Sequence, residues 1–252
     1  MPDASHLPVP AALDREAELD RLARRMRSAS GVGMQLLNTL GTQAEGLLRF
    51  LPDAVRTGLT KATEAALEHA FDAASYSRGG RIPDTSDWMT RAVTLGTGAA
   101  GGAGGLPSAL AELPVTTTVI LRAIQGIADE HGFDPDDPVT RAACVRVFAA
   151  SGPLDDAKDT DLSFLTLRLT VTGKTVQSMV ARVAPRFAIP LGQKLAAQAV
   201  PVIGAVAGAA TNWVFTSYYQ DVARVQFGLM RLARETGEPI EDLAEALKAR
   251  MT

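Results

Sequence analysis

With 252 residues, 46% of them hydrophobic but only 5% aromatic, the chain can build one large domain, and Ala, Leu and Val must fill its core. A net charge of −3 argues against a general nucleic-acid binder. The single cysteine, Cys144, excludes an intramolecular disulfide and any multi-cysteine metal site.

Residues 1–12 are rich in Pro and Ala and read as a disordered N-terminus; residues 13–252 read as a single helical domain. The start has neither a basic n-region nor an apolar h-region, so the expected location is cytoplasmic. Residues 13–30 place acids first (Asp14, Glu16, Glu18, Asp20) and bases after (Arg21, Arg24, Arg25, Arg27), the order that a helix dipole favours. Two readings stay open for that helix. It is exposed and arranged for its own stability, or Arg21, Arg24 and Arg25 form a basic patch that touches anionic lipid or a partner. Residues 32–51 and 53–74 carry apolar positions at three- and four-residue steps, the period of two further helices separated by Pro52. Residues 77–81, SRGGR, read as a turn or linker.

The central stretch has no charge from Ala92 to Ala111, and six glycines fall between Gly96 and Gly105. Glycine costs a helix roughly 1 kcal/mol per residue against alanine. Residues 92–105 are therefore expected to be a loose small-residue segment, and residues 107–131 a long, mostly apolar helix. Pro107 suits its first turn, whereas Pro114 either kinks or restarts it.

Asp137 followed by Pro138 reads as a cap and a first-turn proline for a helix over 139–150. The carboxylates of the preceding loop lack the spacing and closing glutamate of a calcium loop. Residues 162–183 alternate briefly like a strand but hold the helical period far longer, which predicts a helix. Residues 195–220 form the longest uncharged run, and an amphipathic helix follows to about Arg234. Gly237 and Pro239 mark the last turn, before a short closing helix over 240–251.

Catalytic signatures are weak. Gly96-Thr97-Gly98-Ala99-Ala100-Gly101 fits G-x-G-x-x-G, but more glycines and Leu106-Pro107 follow, and Glu112 comes too early for a ribose-binding acid. Gly173-Lys174-Thr175 resembles a P-loop tail, yet Arg168 stands where its first glycine belongs. His6, His69 and His131 have no metal-ligand spacing, and Cys144 falls on an apolar helix face. No metal or cofactor is expected. Glu112 and Asn212 are polar residues inside apolar runs and must find partners if buried. Arg168 or a backbone amide is the expected partner for Glu112, and Asn212 is expected to bond across a helix interface near Gly204 and Gly208. That small-xxx-small pair lets two helices approach closely, in a membrane or in a soluble core. Both uncharged runs reach the length of a membrane span, but their Gly, Ala and Thr content makes them weak spans.

Leu106-Pro107, Glu112-Leu113-Pro114 and the segment from Pro201 through Gly204 and Gly208 to Asn212 resemble the EcsC protein family, over about residues 47–233. The resemblance implies a bacterial, largely helical protein linked by the family's name to an ABC-transporter operon. It carries over no catalytic residues. The combined expectation is an all-α, multi-helix bundle of eight to ten helices with two central Gly/Ala-rich apolar segments. The expected function is non-enzymatic binding of anionic lipid, a membrane surface or a membrane-protein partner, peripheral at the inner membrane face. Two alternatives remain: a hydrolase-like enzyme with a pocket near residues 96–107 using Glu112 and Arg168, and a soluble homo-oligomeric interaction module.

Overall fold

A computed structural model describes residues 14–29, 87–103, 105–149 and 201–251. The disorder expected over residues 1–12, the helices expected over 32–51, 53–74 and 162–183, and the total helix count lie outside these residues. Every regular element described is an α-helix: α1 (Arg15–Ala29), α2 (Asp87–Ala103), α3 (Gly105–Glu130), α4 (Pro138–Ala149), α5 (Pro201–Thr236) and α6 (Ile240–Ala249). The molecule is an all-α multi-helix bundle.

The local chemistry accounts for most helix ends. Asp14 caps α1, its Oδ1 accepting from the backbone N–H of Glu16 at 3.0 Å and of Ala17 at 3.3 Å. Asp137 caps α4 in the same way, with Val139 N at 2.9 Å and Thr140 N at 3.0 Å donating to its Oδ2. The Asp134–Asp137 carboxylates thus serve a turn and a cap, since Asp134 Oδ1 accepts from Asp136 N. Gly132 and Gly237 end α3 and α5 with φ of 76° and 74°, a left-handed turn that costs glycine little. At the first of these, Phe133 N reaches back to Ala128 O at 3.0 Å. The Phe133 ring then lies 5.8 Å from Phe227 and 4.6 Å from the Arg234 guanidinium.

Two expectations need correction. Residues 92–103 are not a loose segment, because α2 is helical through its glycines to Ala103. The reason is tertiary. α2 packs along α5 more extensively than any other described pair of helices pack, and small residues let the two backbones approach closely enough to offset weak helix propensity. Thr90, Thr94 and Gly98, at four-residue steps, are its buried face. Secondly, the uncharged run and the amphipathic segment that follows it are not separate elements from residue 201 onward. They are one helix, α5, of 36 residues, about 54 Å long at 1.5 Å per residue. Likewise α3 runs from Gly105 through Pro114 to Glu130 as one element.

α5 is the central strut, packed against α1, α2, α3, α4 and α6. Tyr219 is 1% exposed and stacks on Phe148 of α4 at 5.2 Å. α1 adds Leu19, Leu22, Ala23 and Met26, a three- and four-residue stripe buried in the same core. Leu247 of α6 closes the C-terminal end.

Candidate functional site

Three polar clusters are built around α5. The first is a seam between the small-residue helices. Asn212, 5% exposed, donates from Nδ2 to Thr94 O at 2.9 Å and to Thr116 Oγ1 at 3.2 Å. Thr216 Oγ1 donates to Thr94 Oγ1 at 3.0 Å, and the Thr97 and Thr116 hydroxyls lie 3.4 Å apart. Asn212 therefore bonds across a helix interface, joining α5 to both α2 and α3. A hydroxyl and amide seam holds small-residue helices in register where no bulky side chain can interlock them.

The second cluster fixes α1. Glu18, buried, takes Arg21 Nε at 2.8 Å and Arg231 Nη2 at 3.1 Å. The Arg21 guanidinium first, then Arg231, hold its carboxyl below the ordinary carboxylate range against the opposing effect of burial. A carboxyl lowered on folding contributes stability that is complete above its unfolded pKa and lost as pH falls through the folded value. Glu18→Gln is accordingly expected to cost about 1–2 kcal/mol at neutral pH. It should also flatten the acid limb of the stability curve, as read by urea melts from about pH 6 to pH 2. An unaltered acid limb would show that the pair carries no net stability.

The third cluster gathers groups far apart in sequence. Arg25 of α1 pairs with Asp221 at 2.9 Å. Arg224 pairs with Asp87 at 2.6 Å and lies 3.8 Å from Glu130. Arg91 of α2 donates from Nε to Gln220 Oε1 at 2.7 Å and sits 5.8 Å from the Trp213 ring. Burial pushes the Asp221 carboxyl up, opposed by Arg25, Arg91 and Arg224. Beside this cluster, a cavity of about 120 Å³ lies between α2 and α3, lined by Asp87, Thr90, Arg122, Gly126 and Glu130 among others.

Of the residues singled out from sequence, Asn212 lies in the seam. Arg21 and Arg25 point at Glu18 and Asp221, whereas Arg24 is exposed. Gly204 and Gly208 fall in the first turns of α5, and Glu112 falls in α3. Arg168 and the side chain of Glu112 lie outside the described residues, so their pairing does too. The loop expected near residues 96–107 requires correction, because α2 runs to residue 103 and α3 begins at 105; the pocket expected beside it, with Glu112 and Arg168, involves side chains outside the described residues. His131 follows α3, its Nδ1 2.7 Å from Ile127 O, and burial lowers its pKa. Cys144 is fully buried in the apolar core. Sequence reasoning passed over Arg91, Gln220 and Arg224. The available signal was the spacing of Ser217, Gln220 and Arg224 at i, i+3 and i+7, which puts three polar residues on one helix face. Their partners on α2 could not be read locally.

Among the described residues, no group of three or more His, Cys, Asp or Glu side chains is placed to hold a metal ion. No described helix is long and apolar enough to cross a membrane. The fold and its polar clusters define a helical bundle organised around a small-residue interface between α2, α3 and α5. The EcsC protein family model matches residues 64–232, more than half of the chain, and the chain belongs to that family. No curated protein and no solved structure gave a match.

Proposed function

We propose that the protein is a non-enzymatic helical module that works at a membrane surface, binding anionic lipid or a membrane-protein partner at the cytoplasmic face. The observation that carries this reading is the outer face of α2. Met89, Val93, Gly96 and Ala100 recur at helical steps and are exposed, and Leu95 is exposed about 120° around the helix from Met89. Met89, Val93 and Leu95 are 44%, 43% and 41% exposed, on a helix without charge after Arg91. The opposite face of α2 is buried against α5, its hydroxyls tied into the Thr–Asn seam, so the bundle holds together without that outer stripe. A helix without charge after its first turns that presents apolar side chains outward suits the boundary between headgroups and acyl chains.

The test is flotation with vesicles of phosphatidylcholine alone and with an added anionic lipid. The expected result is co-flotation with the anionic vesicles, lost on Met89→Glu with Val93→Glu, while the melting temperature stays within the range of ordinary surface substitutions. Wild-type protein that stays at the bottom with both vesicles sinks the reading. Light scattering on the same samples tests the alternative occupant, a second copy of the chain, since the same stripe suits self-association.

A further inference from the structure

The α5 face beside α2 ends in donors without acceptors. Gln220 is 1% exposed. Arginine can only donate, so the Arg91 contact at 2.7 Å fixes Oε1 as the atom facing Arg91. That leaves Nε2 as a donor, and it is buried with no hydrogen-bond partner. Ser217 Oγ, three residues earlier, is buried and unpaired as well. So is Arg224 Nη1, four residues later, although Nη2 of the same guanidinium holds Asp87. Positions 217, 220 and 224 share one face of a helix. Unpaired buried donors are costly and uncommon, and three on one face call for an explanation.

The surrounding charges show what is missing. Asp221 is engaged by Arg25, while Asp87 and the more distant Glu130 flank Arg224. Among the described residues Arg91 makes no salt bridge: it donates to Gln220, sits by the Trp213 ring, and is near enough to Asp221 to favour that carboxylate. A cation would need acceptors, and of the unfilled groups Gln220 Nε2 and Arg224 Nη1 can only donate, while the Ser217 hydroxyl can do either. A planar carboxylate presents its lone pairs in one plane, whereas the three unpaired donors come from three successive positions along α5, with the Arg91 guanidinium of α2 beside them. A tetrahedral oxyanion accepts from every side.

We propose that Ser217, Gln220 and Arg224 of α5, with Arg91 of α2, form a binding site for a phosphate-type oxyanion. Arg91 is half-buried, and the three unpaired donor atoms of α5 are buried. The source is either a free phosphate or the phosphate of a lipid headgroup. The site rests on the geometry of α2 and α5 and goes beyond the membrane reading above.

Gln220→Glu is the discriminating variant. It keeps the shape and the acceptor for Arg91, and replaces the unpaired donor with a negative oxygen. The measurement is thermal unfolding in inorganic phosphate against chloride at matched ionic strength. Wild-type protein is expected to melt higher in phosphate, and Gln220→Glu to need about tenfold or more phosphate for the same rise, with no loss of stability in chloride. Gln226→Leu is the control. Gln226 is fully buried and its amide is also unpaired, but it lies about 200° around α5 from Arg224. This variant is expected to keep the full response. No rise in wild-type protein, an equal rise in Gln220→Glu, or loss of the rise in Gln226→Leu overturns the site.

Flotation on vesicles with and without phosphatidic acid then separates the sources. Weaker flotation of Gln220→Glu than of wild type assigns the site to a headgroup phosphate; equal flotation assigns it to free phosphate. A phosphate response in protein that never floats sinks the membrane reading and leaves the site standing.

Discussion

Asn212→Asp is expected to destabilise the fold by about 3–5 kcal/mol at neutral pH, because it sets a carboxylate oxygen, with no hydrogen to give, against the Thr94 carbonyl oxygen in a buried seam. Asn212 is 5% exposed and gives its amide hydrogens to Thr94 O and Thr116 Oγ1. An ionised carboxyl has none to give. Protonated, it can donate again, so burial raises its pKa above the unfolded value of about 3.9. For an acid raised on folding, stability is retained below the unfolded pKa and falls as pH climbs from there to the folded value. The variant should therefore approach wild-type stability on acidification. Asn212→Leu should cost about 1–3 kcal/mol through loss of its two buried hydrogen bonds, without that pH dependence. Urea melts across pH decide the matter. An Asn212→Asp variant as stable as wild type at neutral pH would remove Asn212 from the buried interface.

Gly228→Leu is expected to cost about 2–3 kcal/mol or more by overpacking the contact between α5 and α1. A Cβ added at Gly228 would lie 2.7 Å from Leu22 Cδ2, and Leu22 is itself fully buried. The obstructing atom is the end of a side chain, so Gly228→Ala should be near neutral. Its gain in helix propensity of about 1 kcal/mol offsets the small shift Leu22 must make. Leu22→Ala alone should cost about 2–5 kcal/mol through the cavity it leaves. Combined with Gly228→Leu it should cost clearly less than the two changes added, since one fills the space the other opens. Additive costs in denaturant unfolding would show that α1 does not pack at Gly228.

These two sites show why the bundle suits its proposed role. The seam at Asn212 joins α2 and α3 to the strut α5 through polar groups satisfied inside the protein. The outer face of α2 is then free to present methionine and valine. At the other end, α1 is tied to α5 and α6 by several ion pairs. Arg15 reaches Glu238 at 2.8 Å, and Arg250 contacts both Glu16 and Asp20. α1 and α6 lie outside the family match at residues 64–232. Arg25 takes part in tying α1 to α5, Arg21 pairs with Glu18 of the same helix, and Arg24 and Arg27 are exposed.

What the chain spells out locally, it spells out well. Acids before bases, Asp14 ahead of α1, Asp137 ahead of Pro138, and glycines at 132 and 237 define helix ends through groups a few residues apart. The apolar steps of α1, α3 and α5 define their buried faces in the same way. The all-α class and the family resemblance follow from such short-range patterns. The helicity of residues 92–103 does not, because glycine opposes a helix by itself and only close packing on α5 reverses the balance. Nor do the polar clusters. Arg25 and Asp221 are separated by 196 positions, Arg91 and Gln220 by 129, and Asn212 and Thr94 by 118. Residue type says that a buried polar group must be paired. Which group it meets, and which donors stay unmet, is set by how the helices cross, and that depends on the whole bundle at once.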